Sequence, residues 1–253
     1  MKSFESTQPA LRLRIGILQA DNVVAEFREE FGDYPGMFVR LLESANRQRA
    51  QPHELTIDSY VSQDHEFPDV QDYDAYLITG SRHSVYEDLP WIKALVEFVT
   101  AALNARRKMI GICFGHQLLA HYFGGETIAA ASGWSVGVQR TRLLCDEPWM
   151  EPGADEVGLL SSHKDQVVKL PQDACVIASS AQCPNAGFTI GDQVLTLQGH
   201  PEFSKGYSAA LMEKREELLG AETFDLGMAS LAEDTHEQIV ASWILNFLSR
   251  ESA

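Results

Sequence analysis

Apolar residues along this chain fall into short runs followed by longer, helically spaced patterns, the rhythm of strands alternating with helices. Residues 14–18, Arg-Ile-Gly-Ile-Leu, form an apolar run that reads as a buried strand. A long connection over residues 21–35 follows, with mixed charges at Glu26-Phe-Arg-Glu-Glu30. Residues 34–46 then place Met37, Phe38, Leu41 and Leu42 at helical intervals. Residues 55–60 alternate as a strand, and residues 73–79 form another that ends at Gly80. Pro90 opens a helix at the position where its missing N–H is tolerated. Lys108-Met-Ile-Gly-Ile-Cys113 is a further apolar strand, and it turns at once into an amphipathic helix pattern over residues 114–123. This βαβα rhythm predicts an α/β fold. Its sheet is doubly wound, mostly parallel and flanked by helices, with ligands at the carboxyl ends of the strands.

The pattern changes after residue 125. Residues 126–144 read as short strands punctuated by Gly133 and Gly137. A second β-rich stretch covers residues 174–199, with Gly187 and Gly191 as turn residues and residues 193–198 as its last strand. Residues 204–219 then read as one helix ended by Gly220, and residues 235–248 as another. No linker or repeat interrupts the chain, so residues 1–253 are expected to form a single domain. Residues 1–13 are expected to be a flexible N-terminal extension, and residues 204–253 a pair of closing helices.

Charge narrows the partners. The chain carries 36 acidic and 20 basic residues, a net charge of −16, which argues against nucleic acid and against an anionic membrane surface. No apolar run approaches transmembrane length, and the first residues contain no apolar leader core. The four cysteines, Cys113, Cys145, Cys175 and Cys183, show no C-x-x-C pair or disulfide spacing. A reducing cytoplasm is therefore the expected compartment.

Cys113 carries the chemistry. It sits where a buried strand meets a helix, with Gly111 and Gly115 two residues to either side. That is the layout of a nucleophile elbow: a tight turn that exposes its central side chain. The helix that starts there aims its positive dipole end at the sulfur, which favours thiolate, the nucleophilic form. A base is offered downstream. The strand over residues 193–198 runs into Gly199-His200-Pro201-Glu202. Pro201 stops the strand, so His200 and Glu202 leave it together, with the carboxylate placed to fix the imidazole tautomer.

Gly-Ile-Cys-Phe-Gly-His-Gln followed in this order by Gly-His-Pro-Glu resembles the class I glutamine amidotransferase family, with its Cys–His–Glu triad. The resemblance extends from Ile15 to about Phe203 and implies a flavodoxin-like fold. Within it, the stand-alone proteins similar to the glutaminase half of GMP synthase match best, a subgroup that also contains γ-glutamyl peptidases. The resemblance implies catalytic roles for Cys113, His200 and Glu202. It implies oxyanion-binding N–H groups at Gly80 and Phe114, and substrate contacts at Gln117, Ser135, Gly137 and Val138. His163 and Asp165 match a His-x-Asp segment, read here as support beside the site. The chain departs from the family at Gly80-Ser81-Arg82-His83, where Gly-Gly-Pro is common. Arg82 and His83 are then either specificity residues or solvated loop. His116 and His121 lack metal-ligand spacing and read as packing residues, so no metal and no cofactor is expected.

The reaction these roles imply is hydrolysis of the γ-amide of glutamine through a γ-glutamyl thioester, releasing glutamate and ammonia. The residues after the motifs read as closing helices, so no acceptor domain is expected among them, and no Gly-x-x-x-x-Gly-Lys-Ser/Thr loop appears. Either a separate ammonia-accepting synthase uses the product, or the protein is a γ-glutamyl peptidase that cleaves γ-glutamyl peptides or conjugates. A reading from another class is a non-catalytic regulatory or binding subunit that kept the fold, and the intact triad argues against it.

Overall fold

The computed structural model of the protein describes residues 11–250. Its strands are β1 (Arg12–Gln19), β2 (Glu54–Val61), β3 (Ala75–Ile78), β4 (Lys108–Ile112), β5 (Glu126–Ala129), β6 (Ser135–Leu143), β7 (Glu156–His163), β8 (Asp165–Lys169), β9 (Ala174–Ser179), β10 (Gly187–Ile190) and β11 (Val194–Leu197). Its α-helices are α1 (Ala25–Phe31), α2 (Tyr34–Arg47), α3 (Pro90–Asn104), α4 (Phe114–His121), α5 (Lys205–Lys214), α6 (Glu216–Leu219), α7 (Ala221–Ser230) and α8 (Glu237–Ser249). Nine strands form one sheet in the order β2-β1-β3-β4-β11-β10-β9-β6-β7, and β5 pairs with β8 separately.

The first five strands of that order run parallel. From β11 onward the neighbours turn antiparallel through β10, β9, β6 and β7. The parallel half is doubly wound. Phe38 and Leu42 of α2 and Trp243, Ile244 and Phe247 of α8 cover one face, over Ile15, Leu77 and Ile110. Ile92, Leu95 and Val99 of α3 and Leu118 and Leu119 of α4 cover the other, over Tyr76 and Met109. Every residue of β3, β4 and β11 is buried. That explains why β3 and β4 read as continuous apolar runs, whereas β11, Val-Leu-Thr-Leu, alternates in the sequence although its Thr196 is buried too. Among the described residues no helix is long and apolar enough to cross a membrane.

Several elements depart from the sequence expectation. The proposed N-terminal extension lies outside the described residues up to residue 10, but Arg12 and Leu13 belong to β1, and Leu13 is buried. The connection over residues 21–35 contains α1, which fully buries none of its residues and offers only the Phe27 and Phe31 pair, packed on Tyr207, as an apolar signal. β7 and β8 were not foreseen. The expected single helix over residues 204–219 breaks at Arg215 (φ −112°, ψ 13°) into α5 and α6. Gly220, at φ 75°, starts α7, whose only buried residue is Gly227.

Candidate active site

β4 delivers Cys113. The chain passes from the buried strand into α4 with one residue between them, so that residue makes the whole turn. Cys113 does so at φ 51°, ψ −97°, a conformation that costs a non-glycine residue about 1–3 kcal/mol. Close packing enforces it. A Cβ on Gly111 would lie 2.7 Å from the Gly115 carbonyl carbon, and one on Gly115 would lie 2.5 Å from the Ile78 carbonyl oxygen. Only glycines allow β3, β4 and the first turn of α4 to meet this closely. The Cys113 N–H donates to Leu197 of β11 at 2.9 Å, and its carbonyl accepts the Gln117 N–H at 3.0 Å.

β11 lies beside β4 in parallel, so its carboxyl end opens on the same side as the Cys113 turn. The chain continues to His200, whose N–H donates to the Leu160 carbonyl of β7 at 2.7 Å. His200 Nδ1 is 2.7 Å from Glu202 Oε1, and the two side chains are 4% and 0% exposed. Phe203 stacks on the imidazole at 3.9 Å and 14°. Tyr34 stacks behind Phe203, and Tyr207 meets it edge-on. Burial alone would lower the His200 pKa. The charges of Glu202 and Cys113, with hydrogen bonding to both, outweigh burial and push it up to about 10. The ring therefore favours its proton-holding form.

Cys113, His200, Gly80 and Gln117 line one cavity of about 510 Å³. Gly80 lies just past β3, and Phe114 is the first residue of α4, where an N–H has no partner inside the helix. Gln117 donates from Nε2 to the Asp165 carbonyl at 2.8 Å and to Gln198 Oε1 at 3.1 Å. Both of its amide hydrogens are thus engaged. Ser135, Gly137 and Val138 lie on β6 and do not line this cavity. The Val138 N–H donates to Ser230 Oγ at 2.9 Å, and Gly137 (φ 73°) packs against Gly227 and Ser230 of α7. Trp134, their neighbour, reaches the cavity instead.

The cavity wall is braced around the site. His163 Nδ1 donates to the Asp165 carbonyl at 3.0 Å, and burial lowers its pKa to about 4, so it is neutral. The Asp165 carboxylate accepts the Ser84 and Tyr86 hydroxyls. Asp21, 4% exposed, accepts the Arg82 backbone N–H at 2.9 Å and its guanidinium at 2.7 Å. Arg82 thus anchors its own loop, while His83 pairs with Glu87 at 3.0 Å. His116 is a core residue, with Nδ1 2.8 Å from Thr196 Oγ1 and its ring against Phe188. Among the described residues no group of three or more His, Cys, Asp or Glu side chains is placed to hold a metal.

Asp21, Trp134, Ser162, Phe203 and Arg215 border the cavity without having been singled out from the sequence. For Asp21 a signal existed: it follows the carboxyl end of β1, where doubly wound sheets place ligand contacts. Ser162 lies on β7, which was not foreseen, while Trp134 and Phe203 come from loops and Arg215 from a helix break that periodicity does not mark.

The chain is 32% identical over 183 residues to γ-glutamyl peptidase 3 of Arabidopsis thaliana, covering 69% of this chain and 72% of that one. It is 30% identical over 221 residues to a putative glutamine amidotransferase of Saccharomyces cerevisiae, covering 84% and 87%. Its fold matches the crystal structure of a glutamine amidotransferase of Thermotoga maritima with a TM-score of 0.73 at 18% identity, over 96% of this chain and 100% of that one. Residues 33–216, which contain Cys113, His200 and Glu202, match the model of the family described as glutamine amidotransferase class-I, and the chain belongs to that family.

Proposed function

We propose that this protein is a cysteine amidohydrolase that cleaves γ-glutamyl amide bonds, and that γ-glutamyl peptides or conjugates are better substrates than free glutamine. The observation that carries the chemistry is the His200 ring, clamped by Glu202 and Phe203 and charge-coupled to Cys113 at the elbow. In this reading Cys113 and His200 work as a thiolate–imidazolium pair. The thiolate attacks the γ-carbonyl carbon, and the developing oxyanion rests on the Gly80 and Phe114 N–H groups. His200 gives its proton to the departing nitrogen, and the C–N bond breaks to leave a γ-glutamyl thioester on Cys113. His200, now neutral, takes a proton from water, which attacks the thioester and releases glutamate. Glu202 holds Nδ1 throughout and so leaves Nε2 for the transfers.

Two observations move the substrate from glutamine toward larger γ-glutamyl compounds. The cavity of about 510 Å³ lies in the range that encloses ligands much larger than one amino acid. γ-Glutamyl peptidases from Arabidopsis thaliana are among the relatives at about this identity. The family match supports a second reading, in which glutamine is hydrolysed and a separate synthase takes the ammonia.

A substrate panel on the purified protein separates the readings, with glutamate, ammonia and amine each quantified. A γ-glutamyl dipeptide should exceed glutamine in kcat/KM by more than about tenfold, roughly 1.4 kcal/mol of transition-state binding. A preference for glutamine, with turnover rising when a synthase and its substrates are added, would favour the second reading. No turnover of either would sink both.

A further inference from the structure

Four basic residues face two acidic ones, Asp21 and Asp165, on the cavity wall, although the chain as a whole carries a net charge of −16. The basic residues are Arg82, Lys164, Lys214 and Arg215. Asp21 neutralises Arg82 at 2.7 Å, and Glu26 neutralises Lys214 at 2.7 Å. Among the described residues no carboxylate pairs with Arg215. Its guanidinium lies 5.5 Å over the Trp134 ring, and Nη1 donates to Ser162 Oγ at 2.9 Å. Trp134 and Ser162 line the same cavity. A guanidinium has five N–H donors in a planar fork, so one bond to Ser162 leaves donors for a ligand, and stacking on an aromatic ring fixes the plane.

Position decides which part of a ligand would reach this fork. Leu218 also lines the cavity and is 62% exposed, so it marks the mouth. Arg215 sits three residues earlier, at the break between α5 and α6. Gln117, 3% exposed, lies one helical turn from Cys113 at the inner end. With both Nε2 hydrogens engaged, Gln117 offers a ligand only its carbonyl oxygen, an acceptor suited to an α-ammonium. A γ-glutamyl group would then enter ammonium end first, and the leaving group would lie outward, toward Arg215.

We infer that Trp134, Ser162 and Arg215 form a carboxylate subsite that holds the leaving amino acid or peptide of a γ-glutamyl substrate. The inference rests on the hydrolase reading above, and the substrates that test it differ in one charge. γ-Glutamylglycine carries the leaving-group carboxylate, and γ-glutamylglycinamide replaces it with an uncharged amide. Wild-type kcat/KM should favour γ-glutamylglycine by about tenfold or more, as a charge-assisted guanidinium–carboxylate contact would give. Arg215→Met should reduce that preference to within about threefold by lowering turnover of the acid alone. Arg215→Lys should fall between, because it keeps the charge and loses the fork. Equal wild-type turnover of the two would overturn the subsite and leave the hydrolase reading intact. So would a loss in Arg215→Met that is equal for both, since that would place Arg215 on the glutamyl half or in a purely structural role. Hydrolysis of neither by the wild-type protein would sink the hydrolase reading, and the subsite with it.

Discussion

Gly80 and His200 are in direct contact: a Cβ on Gly80 would lie 2.7 Å from His200 Cε1. The ring has no room to withdraw. Phe203 stacks on it at 3.9 Å, and Glu202 holds Nδ1 at 2.7 Å. Gly80→Ala should therefore shift the imidazole relative to Cys113. The expected loss is about 100-fold in kcat, because a misplacement of about 1 Å is costly for a positioned group. Overpacking should cost about 1–3 kcal/mol of stability. Steady-state kinetics beside thermal unfolding give both values. A folded variant within about threefold of wild-type kcat would show that this contact does not position the base.

Cys113 makes separate predictions for activity and for stability. Cys113→Ser should lose at least about 10³-fold in kcat/KM, since a hydroxyl beside His200 supplies no comparable nucleophile. Stability comes from the backbone. At an ordinary site Ala→Gly destabilises by about 0.5–1 kcal/mol. At φ 51° the order should reverse, with Cys113→Gly at least as stable as Cys113→Ala. Denaturant unfolding of the two inactive variants reads the order directly. Cys113→Ala being the more stable by a full kcal/mol would mean that the turn stores no strain.

The sequence displayed the parts of this fold that bury on both sides and the turns that glycine makes possible. β3 and β4 appear as apolar runs because helices cover both faces of the sheet there. The grouping of Cys113, His200 and Glu202 at one end of the sheet was legible because each follows the carboxyl end of a strand in a motif with few other uses. α1 and α7 were not, because each is short and offers its neighbours only one partly buried apolar pair, Phe27 and Phe31 or Phe224 and Met228. Ser135, Gly137 and Val138 illustrate another limit. Their resemblance to a substrate-binding segment is local, whereas α7, an element periodicity did not reveal, takes up the Val138 N–H and covers Gly137. Arg215 was hidden inside an apparently continuous helix that breaks at that residue.

Two buried histidines should make the protein acid-sensitive. Burial lowers the His116 pKa to about 3 and the His163 pKa to about 4. In the unfolded chain both return to about 6.5. Between these limits the unfolded state binds protons that the folded state refuses. Their contribution is thus fully present above about pH 6.5 and lost as pH falls toward 4 and then 3. Each adds up to about 1.4 kcal/mol per pH unit to the slope of stability against pH. His116→Leu should lower stability at pH 7 by losing the Thr196 hydrogen bond, yet flatten the acid slope by about one histidine. Urea unfolding from pH 7.5 to 4.5 measures both effects, and an unchanged slope would show that His116 protonates freely in the folded state.

Glu202 and His200 should behave as one unit. Alone, Glu202→Gln keeps a hydrogen-bonding group near Nδ1 but removes the charge that raises the His200 pKa. Its loss in kcat/KM should be smaller than that of His200→Ala. The double variant should be little worse than His200→Ala, because Glu202 acts through the ring. The pH profile supplies a readout that simple misfolding would not. The leaving nitrogen is protonated by imidazolium, so the alkaline limb of kcat/KM follows the His200 pKa in the free enzyme. With Glu202 neutral, burial pulls that pKa down, and the limb should move to lower pH by about one unit or more. Additive losses in the double variant, with an unmoved alkaline limb, would show that Glu202 works on the substrate directly and that something other than this carboxylate sets the state of His200.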